Sequence, residues 1–301
     1  MNRRIDRRDF IGLIGLGGVV FTSGLGATAC ASTSAAHAGI EPDEFYFVQL
    51  SDTHWGFEGP PNPDARGTLP KAIEAINALA QPPDFVVFTG DLTHLTLDAT
   101  LRRTRLAQFR DIAARLKVRD VRFLPGEHDA SVDHGQAYQE FFGPTHYTFD
   151  HKGVHFIVLD NVSDPTGAIG ADQLAWLAAD LTNLTHNTPI IVLTHRPLFD
   201  LVPEWGWATA DAARAIELLS PFARVTVFYG HIHQEHHRMT GAIAHHAAKS
   251  LIFPLPAPGS PDHKPMPWDP AQPYRGLGWR QIEAEPKNAP VQMREFPVQS
   301  A

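Results

Sequence analysis

Five apolar runs, each closed by a short polar cluster, constrain the fold of this chain more than any other feature. FYFVQL runs into Ser51-Asp52-Thr53-His54, DFVVF into Thr89-Gly90-Asp91, and VRFL, past Pro125, into Gly126-Glu127-His128-Asp129. PIIVL runs into Thr194-His195, and RVTVFY into Gly230-His231-Ile232-His233. Apolar runs of that length, without alternation, read as strands covered on both faces, as in a sheet flanked by helices. Carboxylates and imidazoles placed at the carboxyl ends of adjacent strands converge in space while lying far apart in sequence. The pattern predicts an α/β fold that gathers a metal site along one edge of its sheets.

Between the runs, the spacing predicts helices over about 68–80, 99–117, 133–142, 171–182 and 210–219. The strands fall at 45–51, 85–89, 121–124, 145–150, 153–160, 189–194 and 224–229, with shorter ones at 235–240, 242–248, 276–284 and 291–297 around a Pro-rich loop at 254–273. Mixed βαβ units with added β-ribbons predict two sheets packed face to face with helices outside. At 43% hydrophobic and 19% charged residues the composition is that of a globular protein, and residues 39–301 suffice for one large domain.

Residues 1–38 read as a targeting segment and linker. Arg7-Arg8-Asp9-Phe10-Ile11 resembles the twin-arginine export signal, and a Gly-rich apolar stretch follows. Ala36-His37-Ala38 offers a cleavage site, and Cys30, the single cysteine, offers a lipid anchor as the rival processing site, although the Leu expected three residues before it is Ala27. The expectation is a periplasmic or otherwise exported protein with no internal disulfide and no integral membrane domain in the mature chain. The net charge of −8 includes the basic leader, so the mature chain is more acidic still. A nucleic acid polymer is excluded as partner on that ground, since phosphate-backbone binding needs clustered positive charge.

The series D-x-H, GD, G-x-H-D, H and GHxH, in this order and at these spacings, resembles the calcineurin-like metallophosphoesterases. The resemblance runs from about Phe45 to His237, includes the helix GADQLAWLAADL, and fades beyond about residue 240. It implies a four-layer α/β/β/α sandwich of two mixed sheets and an enzyme hydrolysing small phosphate mono- or diesters with two metal ions. Carried over by position, Asp52, His54 and His233 bind one metal, Asp91 bridges, and Glu127, His195 and His231 complete the second. A metal-bridged hydroxide attacks phosphorus, His128 is the general acid for the leaving oxygen, and Asp129 orients His128. Imidazoles and carboxylates without thiolates suit Fe or Mn foremost, with Zn as a further option.

One position departs from the family. Glu127 stands where Asn is usual, which adds a third carboxylate and lowers the formal charge of the centre by one unit. Such a site favours a trivalent–divalent metal pair, favours monoanionic diesters, or has given up hydrolysis; Glu127 simply replacing the Asn oxygen is the remaining reading. The competing function is therefore a non-hydrolytic periplasmic metal-binding or redox protein on the same fold. His94, three residues after Asp91, is read as a metal ligand, a support for one, or a solvent-facing loop residue. Of seventeen histidines, His236, His237, His245 and His246 are weighed for the pocket, at least half of them as structural. Loops 55–67, 200–209 and 254–273 are expected at the site mouth, with Trp205 and Trp207 as either a stacking rim or local plugs. Arg196 and Arg66 are the candidates for a phosphate clamp.

Overall fold

The computed structural model describes residues 20–22, 44–284 and 291–299. In chain order its elements begin β1 (Val20–Thr22), β2 (Phe45–Leu50), α1 (Ala65–Asn77), β3 (Phe85–Thr89), α2 (Ala99–Ala113) and β4 (Val121–Leu124). Next come α3 (Glu127–Ala130), α4 (Gln136–Phe142), the hairpin β5 (Tyr147–His151) and β6 (Val154–Val158), α5 (Ala171–Leu181) and β7 (Ile190–Leu193). The last are α6 (Ala212–Leu219), β8 (Val225–Tyr229), β9 (His236–Thr240), β10 (Ile243–Ala247), β11 (Gly278–Ala284) and β12 (Gln292–Pro297).

Two six-stranded sheets result, ordered β1-β12-β11-β2-β3-β4 and β5-β6-β7-β8-β10-β9. In the first, β2, β3 and β4 run parallel while β11, β12 and β1 add antiparallel strands at β2's free side. In the second, β6, β7, β8 and β10 run parallel between antiparallel edges. The mixed sheets flanked by helices match the expected architecture.

Side-chain alternation sorts the core into layers. Phe45, Phe47, Phe85 and Val87 pack between the sheets against Val154, Phe156, Ile191, Leu193 and Phe228. Their neighbours Tyr46, Val48, Leu50, Val86 and Phe88 point the other way, onto Leu69, Ile73 and Ile76 of α1 and Phe109 of α2. Ile157, Ile190, Val192, Val225 and Val227 likewise meet Leu177 and Leu181 of α5 and Ala215 and Leu219 of α6. Both faces of each central strand are covered, so the strands read as unbroken apolar runs.

The helix ends differ from the periodic reading for local reasons. Helix α1 begins at Ala65 rather than 68, after a turn in which Asn62 Oδ1 accepts the Asp64 amide at 3.0 Å. Asn77 closes it, its Nδ2 donating to Arg115 O at 2.9 Å and its Oδ1 accepting from the Lys117 backbone amide at 2.7 Å. The same two bonds explain why α2 stops at Ala113 instead of running to 117. At its other end Asp98 caps α2, accepting from the amides of Thr100 and Leu101.

The leader expectation meets the structure in one place: Val20–Thr22 pairs with Gln292–Arg294 as an edge strand. Arg7, Arg8, Cys30 and the Ala36-His37-Ala38 site lie outside the described residues. Among the described residues no helix is long and apolar enough to cross a membrane.

Candidate metal centre

The loops leaving β2, β3, β4, β7 and β8 bring the expected side chains together. Asp52, His54, Asp91 and His233 form one group, and Asp91, Glu127, His195 and His231 a second; within each the donor atoms lie within 4.8 Å of one another. Asp91 belongs to both. Its Oδ1 accepts the His128 amide at 3.0 Å, while Oδ2 lies 3.3 Å from His54 Nε2 and 3.5 Å from His195 Nε2. Oδ2 is thus the atom between the groups.

Backbone geometry aims these residues. Among the described residues seven non-glycines have left-handed φ, and five are Asp52, His54, Asp91, His231 and His233. Each such residue costs of the order of 1–3 kcal/mol, a strain that persists where a site over-determines the conformation. Gly126 is needed for a different reason: a Cβ there would run into the Asp91 carboxylate and amide.

The imidazoles are held from behind. His195 Nδ1 meets Thr89 O at 2.7 Å, His233 Nδ1 meets Phe253 O at 2.8 Å, and His231 Nε2 meets Gly206 O at 3.0 Å. Each bond places the ring proton on the far nitrogen and turns the other lone pair toward the carboxylates. His54 differs, because its Nδ1 faces His94 Nδ1 at 3.4 Å. His94 is half-buried, and together with His54 and His128 it makes a third imidazole group.

The donor set fits a pair of cations. Glu127 Oε2 and His195 Nε2 lie 3.0 Å apart, yet both are buried without a hydrogen-bond partner, the arrangement of two donors aimed at a common cation. Glu127 Oε1 stands 3.0 Å from His231 Nδ1. Burial opposes ionisation of Glu127, but the imidazoles of His231 and His195 hold its carboxyl well below the usual range. Burial works against His195 in turn, and Asp91 and Glu127 overcome it, raising the imidazole well above its ordinary value. A centre that draws protons onto its histidines in this way has the charge to hold cations in their place.

His128 and Asp129 are not partners. Asp129 accepts the amides of Leu92, Thr93 and Gly126 at 2.9, 2.8 and 3.0 Å, and the Thr93 hydroxyl at 2.9 Å. It staples the Asp91 loop to the Glu127 turn, and burial beside Asp91 raises its carboxyl to about 7 against the pull of those amides. The expectation that Asp129 orients His128 is corrected accordingly. His128 Nδ1 instead accepts the Leu95 amide at 3.0 Å, which leaves the ring proton on Nε2.

The surrounding aromatics and histidines divide differently from the sequence reading. Trp207 is an interior plug with Phe199, Val202, Tyr229 and Ile232, while Trp205 stacks on His263 at 5.1 Å. The service of that loop to the centre is the Gly206 carbonyl. His245 and His246 are buried in the second sheet, His237 Nδ1 faces His246 Nδ1 at 2.7 Å, and none of these joins the metal groups. The Pro-rich loop lines a cavity of about 340 Å³ with Asn62, Phe253, Leu255, Trp268 and Arg275. The cavity adjoins the centre through Phe253, whose ring lies 5.0 Å from that of His233. Sequence reasoning missed the three carbonyl anchors, which have no residue-type signature beyond Gly206 between two tryptophans.

Comparison with known proteins agrees with this geometry. The family model described as calcineurin-like phosphoesterase matches residues 45–235. The serine/threonine-protein phosphatase CPPED1 of Mus musculus is 29% identical over 221 residues, covering 63% of this chain and 70% of that protein. The cAMP/cGMP dual specificity phosphodiesterase MT0825 of Mycobacterium tuberculosis is 30% identical over 173 residues, 52% of this chain and 51% of that protein. Among solved structures, a dimetal phosphatase from Danio rerio aligns with a TM-score of 0.55 at 14% identity, over 85% of this chain and 99% of that chain. The purple acid phosphatase PPD1 from yellow lupin seeds aligns with a TM-score of 0.60 at 14% identity, over 85% of this chain and 52% of that chain. At such identities the structural likeness shows the fold.

Proposed function

The chain belongs to the calcineurin-like phosphoesterase family, and from that premise we propose that it is an exported hydrolase of small phosphate mono- or diesters that works with two metal ions, Fe or Mn foremost. The observation that carries this reading is Asp91 Oδ2, shared between two groups of carboxylates and imidazoles. Asp52, His54 and His233 with Asp91 would hold one ion, and Glu127, His195 and His231 with Asp91 the other. When bound, such a pair supplies an activated water and neutralises charge on the phosphoryl oxygens.

The chain's own groups supply the rest. The Thr89, Phe253 and Gly206 carbonyls fix the tautomers of three imidazoles, so their lone pairs face the centre without reorganisation. His128, with its proton on Nε2, is the group to protonate the departing ester oxygen. Asp129 acts through the backbone, holding Leu92, Thr93 and Gly126 so that Asp91 and Glu127 keep their spacing.

Asp91→Asn is expected to abolish turnover together with at least one metal, measured by metal analysis. His128→Ala is expected to keep both metals and lose about 100- to 10,000-fold in turnover, chiefly on esters with poor leaving groups. Unchanged hydrolysis of such esters by His128→Ala would remove the acid assignment. Glu127 favours one second reading, a periplasmic metal-binding or redox protein that does not hydrolyse esters, which metal binding without turnover on any ester would support. Export by the twin-arginine route rests on Arg7-Arg8. Replacing both with Lys is expected to leave the protein in the cytoplasm, and export of that variant would dismiss the route.

A further inference from the structure

Arg196 follows His195 directly, and its surroundings set it apart from the other buried arginines. Its backbone is fixed from both sides by Asn161, whose Nδ2 donates to Arg196 O at 3.0 Å and whose Oδ1 accepts the Arg196 amide at 3.3 Å. Asn161 is itself buried and donates to the Thr209 hydroxyl at 2.7 Å. The side chain then lies against Gly167, at a φ of 74°, where any Cβ would collide with Nη1.

What this placement achieves is an unsatisfied cation beside the centre. The Arg196 side chain is only 18% exposed, and among the described residues its single charged contact is Glu127 Oε2, 3.7 Å from Nε and beyond hydrogen-bonding distance. Nε is buried without a hydrogen-bond partner. Other buried arginines have their guanidinium groups engaged: Arg102, whose Nε is likewise without a partner, bonds Asp133 at 2.6 Å through Nη1 and Thr96 O at 3.2 Å through Nη2, and Arg280 bonds Glu295 at 2.5 Å and the Ala247 carbonyl. Arg66 pairs with Glu58 at the surface. A buried guanidinium N–H is costly unless it is met, so the Nε–H of Arg196, held without a partner next to a reaction centre, is a donor available to a ligand.

We propose that Arg196 grips the phosphoryl group of the substrate and, by offsetting the charge of Glu127, suits the centre to phosphate monoester dianions. The inference rests on the phosphoesterase reading above and names its substrate class. Three carboxylates face the centre where the family usually has two, and a cation 3.7 Å from the added one restores the balance. The planar fork of arginine matches two phosphoryl oxygens at once. A diester also presents two terminal oxygens, so the preference for the monoester comes from the higher charge of its dianion, which a guanidinium holds more strongly. This overrides the preference for diesters that Glu127 alone would impose.

The test compares Arg196→Gln and Arg196→Lys with the wild-type protein, all loaded with metal. Calorimetric titration with inorganic phosphate is expected to show affinity weakened about 10- to 100-fold in Arg196→Gln, the worth of a charge-assisted hydrogen bond, with metal content unchanged. KM for an aryl phosphate monoester should rise by a similar factor while that for an aryl diester changes little. Lys should recover part of the loss, supplying charge without the fork. Unchanged phosphate affinity in Arg196→Gln, equal losses on both ester classes, or loss of metal from that variant would each overturn the proposal. A wild-type protein that binds phosphate and hydrolyses neither ester would refute the enzyme reading instead, and the phosphate titration would still decide the role of Arg196.

Discussion

His54 shows how much of this centre depends on what stands behind each imidazole. Three of the four metal-facing histidines lean on rigid backbone carbonyls, whereas His54 leans on the ring of His94. For His54 Nε2 to face Asp91 with a free lone pair, its proton must sit on Nδ1, and His94 must accept it. His94→Ala is therefore expected to weaken one of the two metals about 10- to 100-fold, measured by competitive chelator titration, while the second metal is retained. Equal affinities in variant and wild type would show that His94 does not anchor His54. Gly126 makes a sterner demand. With the Asp91 carboxylate where a Cβ would lie, Gly126→Ala is expected to lose bound metal although it alters no donor.

At the scale of the element, the central strands were legible because each is covered on both faces. FYFVQL and FVVFT lie wholly in the interior, so apolar content alone marked them, and the ligand-bearing turns followed from where the runs stopped. Helix ends were less legible, since the Asn77 bonds that close α1 and shorten α2 join residues far apart in sequence. For the same reason the acidic partner that the family resemblance implied for His128 is not found beside its ring: α3 turns the Asp129 carboxylate onto the amides of the neighbouring loop. Donor identities could be read, but backbone carbonyls such as Thr89 and Phe253 carry no side-chain signal. Between the sheets, Phe47 stacks on Phe85 at 4.7 Å and meets Phe156 edge-on at 5.7 Å. Phe47→Ala is expected to cost about 3–5 kcal/mol, seen as a lower denaturation midpoint with an unchanged slope.

For the whole molecule, acid is the expected weakness. Burial lowers the imidazole of His245 to about 4 and that of His246 to about 3. Both rings stay neutral in the folded state while the unfolded chain takes up protons below about pH 6.5. The unfolded state then binds more protons, so stability falls as pH drops from about 6.5 toward 4. Glu235, drawn down to about 2 chiefly by its bond to His237, with burial opposing, adds a loss below the ordinary carboxylate range. Denaturant titrations at pH 7 and pH 5 should show the protein less stable at pH 5. His245→Phe should reduce the difference, because His245 packs edge-on against Phe199 at 5.1 Å and neither ring nitrogen has a hydrogen-bond partner. A difference that persists undiminished in that variant would assign the acid sensitivity elsewhere.

The two sheets exist, in functional terms, to bring the loops after β2, β3, β4, β7 and β8 to one edge. Whether that edge is a two-metal hydrolytic centre is decided most directly by metal analysis of the purified protein coupled to an assay on aryl phosphate mono- and diesters. About two metal ions per chain are expected, with turnover that vanishes on chelation and returns with the metal. Failure to bind a second ion, or two bound ions with no turnover on either ester after reloading with Mn, Fe or Zn, would contradict a two-metal hydrolytic centre.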